Sequence, residues 1–220
     1  PLIIKVASIQ QARMQIYFID NEDYFQRKYT LHDKNNKFFN DNDERAIFFS
    51  RGVLETVKKL GWGPDVVHCH GWLTSLLPLY IKKAYHDNPL FSDTKVVFSI
   101  YDDDFEELMH KEFSNKIKLE GISAKDLKHY KNPNYVNVIK AAIDFSDGVI
   151  IGSPKVNPEL VRYMQETDKP YLDFVVAEDH KKMNSYHSRR MAGEDFQVMY
   201  RSKILKKDGM AHGNITKRIK

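Results

Sequence analysis

The fold is decided by residues 63–80, which read Gly63-Pro64-Asp65-Val66-Val67-His68-Cys69-His70-Gly71-Trp72-Leu73-Thr74-Ser75-Leu76-Leu77-Pro78-Leu79-Tyr80. Val66 and Val67 suit a buried strand, and Pro64 limits where that strand can begin. The apolar residues after the turn recur at the spacing of one helical face. In parallel α/β sheets, ligands bind beyond the carboxyl ends of the strands. The stretch therefore predicts a strand, a turn that carries a candidate site, and a helix.

The body of the chain continues this alternation of strands and helices. Apolar runs at 2–9 and 14–20 predict a hairpin, and apolar positions at helical spacing predict a helix that ends at Gly61. Further strands are expected at 65–70, 95–101, 148–152 and 171–176, and helices at 74–85, from 105, at 135–145 and after Pro154. Such alternation is typical of parallel βαβ units. The predicted fold class is α/β, a Rossmann-like parallel sheet flanked by helices.

Composition predicts a globular protein that does not contact membranes. Of the 220 residues 42% are hydrophobic, which can supply a sizeable core, and no apolar run approaches the length of a membrane helix. Cys69 is the single cysteine, which excludes an internal disulfide and fits a reducing compartment. A cytoplasmic location is therefore the expectation.

Charge divides the chain near Ala177. Residues 178–220 contain eleven Lys or Arg and five Asp or Glu, a net charge of +6, whereas the whole chain carries +4. This segment has little apolar periodicity, so we expect a domain at 1–177 followed by a basic, mobile tail at 178–220. Contact of the tail with RNA or another polyanion is the alternative, but we do not expect nucleic acid as a partner.

Five segments carry a family resemblance. They are Tyr17-Phe18-Ile19-Asp20-Asn21-Glu22-Asp23-Tyr24-Phe25-Gln26-Arg27, Asp41-Asn42-Asp43-Glu44-Arg45, Pro64-Asp65-Val66-Val67-His68 with the turn and helix that follow it, Val97-Phe98-Ser99-Ile100-Tyr101-Asp102, and Ser146-Asp147-Gly148-Val149-Ile150-Ile151-Gly152-Ser153-Pro154. In this order and with this spacing, the segments resemble the glycogen and starch synthases. The resemblance covers residues 17–154.

The resemblance implies a fold, a reaction and a set of ligands. The chain would form the amino-terminal, acceptor-side lobe of a two-lobed B-type glycosyltransferase that transfers glucose from ADP-glucose to an α-1,4-glucan. Its partners would be the glucan, ADP-glucose, and a second glycosyltransferase lobe or another protein. The family needs no metal, and we expect neither a metal nor a cofactor. Substrate contact would fall on Asp41, Asn42, His70, Trp72 and Tyr101.

Several positions depart from the family pattern, and each departure removes a group that the family's chemistry would need. Leu73 stands where many members have a histidine, Gly71 replaces an aspartate, and Tyr101 with Asp102 replaces His-Asn. The chain has no Lys-x-Gly-Gly phosphate loop, and we recognise no counterpart of the second lobe after Pro154. A leaving diphosphate needs preorganised positive groups. We therefore expect no catalytic residues and no catalysis by this chain alone; the alternatives are a noncatalytic glucan- or partner-binding module and a piece of a longer gene product.

Each candidate residue also has a structural interpretation. Asp41 or Asp43 could cap a helix by accepting backbone N–H bonds, and we favour this cap over sugar binding. Trp72 could stack on a glucose ring or pack inside the core. His70 could contact substrate or form a structural hydrogen bond.

Two groups of residues could bind a metal, although we favour neither site. His68 and His70 share a strand face, while alternation turns Cys69 the other way, which makes it a buried hydrophobe rather than a nucleophile. The three acids at 102–104 directly follow a strand, where paired carboxylates suit a divalent cation. We expect these acids to form a solvated loop or to cap a helix that begins at Phe105.

Overall fold

The structure is a computed structural model that describes residues 1–174 and two short strands, Met199–Tyr200 and Ile215–Thr216. These two strands pair with each other antiparallel. Apart from them, the tail predicted at 178–220 lies outside the described residues, and so does the end of the strand predicted at 171–176.

Residues 1–174 alternate between strands and helices. The strands are β1 (Ile3–Ile9), β2 (Met14–Asp20), β3 (Val66–His70), β4 (Lys95–Ile100), β5 (Gly148–Ile151) and β6 (Tyr171–Leu172). The α-helices are α1 (Glu22–Phe25), α2 (Asn42–Leu60), α3 (Leu77–Leu79), α4 (Phe113–Lys116), α5 (Tyr135–Phe145) and α6 (Pro158–Glu166). Within this described part, no helix has the length and apolar character needed to cross a membrane.

Strands β3 to β6 form one parallel sheet in the order β3-β4-β5-β6. In its register, Cys69 of β3 lies opposite Phe98 of β4, which in turn lies opposite Val149 of β5. The predicted α/β class is confirmed, and so is the prediction that the strands around 65–70 and 95–101 are parallel neighbours. The expectation of a buried strand at Val66 and Val67 is wrong for Val66, which is 56% exposed because β3 is an edge strand of the described sheet. Because all four strands run the same way, their carboxyl ends meet at one edge of the sheet.

Apolar side chains from the sheet and from α5 form the core. Phe98 of β4 is fully buried, as are Ile139 and Ile143 one turn apart on α5. The Asn134 side chain accepts a hydrogen bond from the N–H of Asn137 at 2.8 Å, so a cap begins α5 at the Pro-Asn break in the sequence. Burial on one face and a capped start together fix this helix against the sheet.

Strands β1 and β2 form a separate antiparallel hairpin, which confirms the predicted hairpin. The hairpin contacts α2 around Gly52, which lies against the side chains of Ile19 and Leu2. Apolar side chains such as Ile9 and Phe18 remain exposed on it. The hairpin is therefore attached to the domain at one side rather than enclosed by it.

Two predicted helices differ from the structure. Residues 74–85 contain the end of a 3₁₀ turn, α3 and a π-helical turn at Tyr80–Ala84 rather than one regular helix. The helix predicted to begin at Phe105 is wrong, because the first helix after β4 is α4. Phe105 and Met109 insert into the core, and the N–H of Met109 donates to the carbonyl of Pro133 at 3.0 Å. The backbone there bonds to a distant loop instead of a helical turn.

Replacing Ile143 by Val tests the core. Ile143 is 0% exposed, so the loss of one methyl group should lower the free energy of unfolding by about 0.5–1.5 kcal/mol. Urea denaturation followed by circular dichroism would measure the change. Ile9→Val is the matched control, because Ile9 is 44% exposed and should change stability by less than about 0.5 kcal/mol. Equal effects of the two substitutions would contradict the burial of α5.

Candidate functional site

The candidate site lies where β3, β4 and β5 end at the carboxyl edge of the sheet. The N–H of Gly71 donates to the carbonyl of Ser99 at 3.2 Å, and the N–H of Gly152 donates to the carbonyl of Ile100 at 2.8 Å. These bonds extend the hydrogen-bond ladder of the sheet by one residue and align the carboxyl ends of the three strands. Side chains that follow the three strands therefore meet on one surface.

His70 and Tyr101 meet at this edge. The Tyr101 hydroxyl and Nδ1 of His70 are 2.8 Å apart and hydrogen-bonded. The two ring centroids are 6.0 Å apart and the ring planes differ by 30°. His70 is exposed and Tyr101 is half-buried. The structure thus joins two of the predicted site residues into one pair that solvent can reach.

His68 supports His70 from the same strand face. The two imidazole centroids are 4.0 Å apart, and Nε2 of His68 is 2.8 Å from the Ser99 hydroxyl. Partial burial lowers the pKa of His68, and the nearby His70 lowers it further. The prediction that the two histidines share a face is confirmed.

Cys69 points to the other side of β3, as predicted. It is buried, and burial raises the pKa of its thiol to about 12. Since the thiolate is the reactive form, this cysteine is inert at neutral pH. The interpretation of Cys69 as a small buried hydrophobe is therefore confirmed.

Asp103 holds the edge together from inside. Its carboxylate accepts hydrogen bonds from the N–H of Trp72 at 2.9 Å and from the hydroxyl of Tyr135 at 2.7 Å. Gly71 has a φ of +70°, and a Cβ atom there would lie 2.5 Å from Oδ2 of Asp103, so this turn requires glycine. The carboxylate that follows β4 thus clamps the turn after β3 to helix α5.

The acids at 102–104 do not form the helix cap that was one of their predicted roles, because no helix begins at Phe105. Asp103 binds protein donors, and Asp104 accepts a hydrogen bond from Nδ2 of Asn157 at 3.0 Å. Among the described residues, no group of three or more His, Cys, Asp or Glu side chains is placed to hold a metal ion. The two outer acids are exposed, as a solvated loop would be.

Trp72 packs inside the domain. It is 4% exposed, and its indole meets the ring of Phe105 edge-on at 6.0 Å between centroids. Of the two interpretations of this tryptophan, packing is the one that the geometry favours. Trp72 contributes its backbone N–H to the Asp103 clamp rather than a flat face to solvent.

Asp41 and Asn42 lie at the start of α2, in a cluster of internal polar contacts. Asp41 forms an ion pair with Arg27, which holds the pKa of its carboxyl below the usual value. Asn42 donates from Nδ2 to the carbonyl of Leu31 at 3.0 Å and accepts from Nη1 of Arg45 at 2.6 Å. These contacts tie the loop before α2 to the helix.

The predicted side-chain cap of α2 is wrong. Asp41 occupies the position before the helix, but its side chain makes no capping bond, because Arg27 takes both carboxylate oxygens. Asp43 pairs with Lys116 of α4 at 2.8 Å. Both carboxylates are therefore engaged by cations from elsewhere in the chain.

A groove beside α2 lies apart from the candidate residues. It encloses about 530 Å³ and is lined by Leu2, Tyr24, Glu44, Ile47, Phe48, Arg51, Gly52, Glu55 and Lys116. The five predicted site residues are not among the described residues that line it. The candidate site is an open edge rather than this groove.

Four residues at the site were not among the predicted site residues: Ser99, Asp103, Tyr135 and Gly152. Tyr135 directly follows the Pro-Asn break, and Gly152 belongs to one of the five family segments, so both had a sequence signal. Ser99 also belongs to one of these segments and Asp103 to the acids at 102–104, but their partners on β3, in the turn after it and on α5 follow only from the tertiary structure.

The fold and its edge define a Rossmann-like α/β domain whose exposed polar and aromatic side chains lie at the carboxyl ends of parallel strands. The chain belongs to the starch synthase catalytic domain family, whose sequence model matches residues 2–170. The predicted kinship with glycogen and starch synthases is therefore confirmed.

Individual relatives agree with this family. The glycogen synthase of Chlorobium limicola is 44% identical over 101 residues, which are 46% of this chain and 21% of that protein. The glycogen synthase of Pelodictyon phaeoclathratiforme is 29% identical over 195 residues, 84% of this chain and 39% of that protein. The chain thus spans at most about two fifths of the length of these relatives.

One solved structure is similar in part. It is the catalytic domain of starch synthase IV from Arabidopsis thaliana bound to ADP and acarbose, with 22% sequence identity and a TM-score of 0.47. The similarity covers 69% of this chain and 30% of that one.

Replacing Asp103 by Asn tests the clamp. Asn offers one acceptor where two donors converge, so the free energy of unfolding should fall by about 1–3 kcal/mol. Burial raises the pKa of the Asp103 carboxyl above its ordinary 3.8, so the folded state binds this proton more tightly than the unfolded state. The contribution of Asp103 to stability therefore falls as the pH rises from 3.8 to the raised pKa, and it is constant above that.

Urea denaturation at several pH values would measure this difference. Between pH 3.8 and the raised pKa of Asp103, the native chain should lose stability as the pH rises, whereas D103N has no carboxyl at this position to titrate. The difference in free energy of unfolding between D103N and the native chain should therefore shift in favour of D103N across this pH range. Asp102→Asn, at an exposed neighbour, is the control. The same pH dependence in D103N as in the native chain would show that the carboxyl is not buried as described.

Proposed function

We propose that this chain is the acceptor-side part of a glucosyltransferase of the glycogen and starch synthase type, and that its carboxyl edge contacts an α-1,4-glucan. The observation that carries the proposal is the exposed, hydrogen-bonded pair of His70 and Tyr101 at that edge, in a chain of this family. Neutral sugars bind where an aromatic surface and a few fixed polar groups replace their hydration.

The predicted site residues take different roles in this proposal. His70 and Tyr101 contact the sugar, and Trp72 holds the turn after β3 through its backbone N–H, which donates to Asp103. Asp41 keeps 29% of its side chain exposed beside Arg27, so it can still accept a hydrogen bond from a sugar hydroxyl. Asn42 is 1% exposed and acts by holding the loop before α2.

The donor would be ADP-glucose, bound between this lobe and a second lobe or protein partner. A transition state that releases a diphosphate needs fixed positive charge. The three residues that follow Tyr101 at the end of β4 are acidic, and the chain has no Lys-x-Gly-Gly segment. We therefore propose that the residues of this chain position the acceptor and do not by themselves catalyse transfer.

A noncatalytic glucan- or partner-binding module is the second candidate. It is favoured by Leu73, which occupies the place of the family's histidine and packs against the core. An apolar side chain there cannot bond a sugar hydroxyl. The two candidate functions differ in one outcome: adding a second lobe would restore glucose transfer for the glucosyltransferase part but not for the noncatalytic module.

We also propose a cellular location for the protein and a division of the chain into a domain and a tail. The buried thiol of Cys69 is compatible with the reducing cytoplasm, where we place the protein. We propose a domain at 1–177 and a separate basic tail at 178–220, supported by the excess of positive charge in the tail. Since a neutral glucan gains little from scattered Lys and Arg, the tail is not part of the proposed sugar site.

The purified chain should not incorporate labelled glucose from ADP-glucose into glycogen above background, because its residues supply no phosphate-binding loop. Precipitation of glycogen followed by scintillation counting would measure incorporation, with the Chlorobium limicola glycogen synthase as a positive control. Incorporation that survives repurification of the chain would contradict the proposal that it does not catalyse transfer alone.

Maltoheptaose should bind weakly at the carboxyl edge. A ligand that stays half solvated on one lobe should have a dissociation constant no better than roughly millimolar. Backbone amide NMR shifts should change around residues 70–73 and 101–104. His70→Ala should weaken binding about 2- to 10-fold through the loss of one hydrogen bond, whereas His86→Ala, at an exposed histidine after the helix, should not. Shifts confined to 178–220, or none at high sugar concentration, would overturn the proposed glucan site.

A further inference from the structure

The Tyr101 ring has two close neighbours at the carboxyl edge. Its hydroxyl is hydrogen-bonded to Nδ1 of His70 at 2.8 Å. Gly152 also lies so close to the ring that a Cβ atom there would be 2.6 Å from Cε1 and 2.8 Å from Cζ of Tyr101. Real Cβ atoms do not approach carbon atoms this closely, so any larger residue at 152 would displace the ring.

The rings of His70 and Tyr101 form one shallow surface. Their planes differ by only 30°, and the hydrogen bond joins them edge to edge. His68 covers one face of the His70 ring at 4.0 Å, while His70 as a whole remains exposed. The opposite face of the His70 ring is therefore the one that a ligand can reach.

We propose that this two-ring surface is a stacking platform for a pyranose ring of the glucan, and that Gly152 is its positioning residue. The inference rests on the proposed glucan site and assigns its sugar-stacking surface to Tyr101 with His70, since Trp72 is buried. The C–H face of a glucose ring packs on a flat aromatic surface. Nδ1 of His70 is occupied by its hydrogen bond to the Tyr101 hydroxyl, so Nε2 is the ring nitrogen that can form a hydrogen bond with a sugar hydroxyl.

Charge favours a neutral sugar over a nucleotide on this platform. Asp102 and Asp104 are exposed and follow Tyr101 by one and three residues. Carboxylates this near to the ring in sequence repel a diphosphate but accept hydrogen bonds from sugar hydroxyls. The platform therefore fits the acceptor glucan rather than the nucleotide of the donor.

The pair of substitutions Gly152→Ala and Gly148→Ala tests the positioning role. Both glycines belong to β5 or directly follow it, but a Cβ atom at 148 would lie 3.5 Å from the carbonyl of Pro170, an ordinary contact. Two quantities would be measured in each variant: the ¹⁵N shifts of the His70 imidazole, which report the bond at Nδ1, and the affinity for maltoheptaose. In G152A, the ¹⁵N shifts of His70 that report the bond at Nδ1 (the His70 signature) should be lost, and the sugar should bind about 5- to 10-fold more weakly. G148A should match the native chain in both measurements.

Substitutions of Tyr101 separate stacking from hydrogen bonding and do not depend on how G152A folds. Y101F keeps the ring and loses the bond to His70, so binding should weaken by no more than about 3-fold. Y101A removes the ring and should weaken binding at least about 10-fold. Circular dichroism would check that each variant is folded.

The outcomes distinguish this inference from the proposed function. Equal maltoheptaose affinity in the native chain, Y101A and G152A would overturn the platform but leave a glucan site elsewhere. An unchanged His70 signature in G152A would overturn the positioning role of Gly152. No maltoheptaose binding to the native chain, with the His70 bond intact, would overturn the proposed glucan site and the platform with it. Shifts around Tyr101 with ADP but not with maltoheptaose would assign the surface to the nucleotide instead.

Discussion

The half-buried carboxylate of Asp103 ties together three parts of the domain that are distant in sequence. It accepts from the backbone of Trp72 after β3 and from the hydroxyl of Tyr135 on α5, while its own backbone follows β4. Burying a carboxylate costs free energy unless donors meet it, and here two donors do. The turn after β3, the loop after β4 and the start of α5 are thereby held in one arrangement, and the His70–Tyr101 pair depends on it.

The polar groups near the edge divide into those used by the fold and those left for a ligand. At the start of α2, Asp41 pairs with Arg27, and Asn42 bonds to Arg45 and to the backbone of Leu31. His70 and Tyr101 bond to each other and still face solvent. The family resemblance alone marks both groups as substrate contacts, whereas the geometry gives them different roles.

Local sequence predicts those features that local physics determines. The apolar run of β4 predicts a buried strand, because buried parallel strands are continuous apolar runs, and the valines at 66 and 67 predict its parallel neighbour. Their burial is not predicted correctly, since β3 lies at the edge of the described sheet and leaves Val66 exposed. Strand alternation was enough to place His68 and His70 on one face and Cys69 on the other. The hairpin and α5 followed from their apolar periodicity and their turns.

The wrong predictions share one physical cause, which is competition from partners far away in the chain. Asp41 could cap α2 until Arg27, fourteen residues earlier, takes its oxygens. A helix could begin at Phe105 until Pro133 accepts the N–H of Met109. The same local sequence also permits Trp72 to stack on a sugar or to pack on Phe105, and only the tertiary contact decides between them.

Because the β1–β2 hairpin is attached at one side only, local stability against opening differs between the hairpin and the rest of the domain. An isolated two-stranded hairpin is only marginally stable in water, and this one has the contact around Gly52 to support it. Its backbone amides should therefore exchange with deuterium through local opening, long before the amides of β4, which are protected until the whole sheet unfolds. The slowest-exchanging amides would then outline the β4–β5 centre of the sheet, and the fastest would mark the hairpin as a separate cooperative unit.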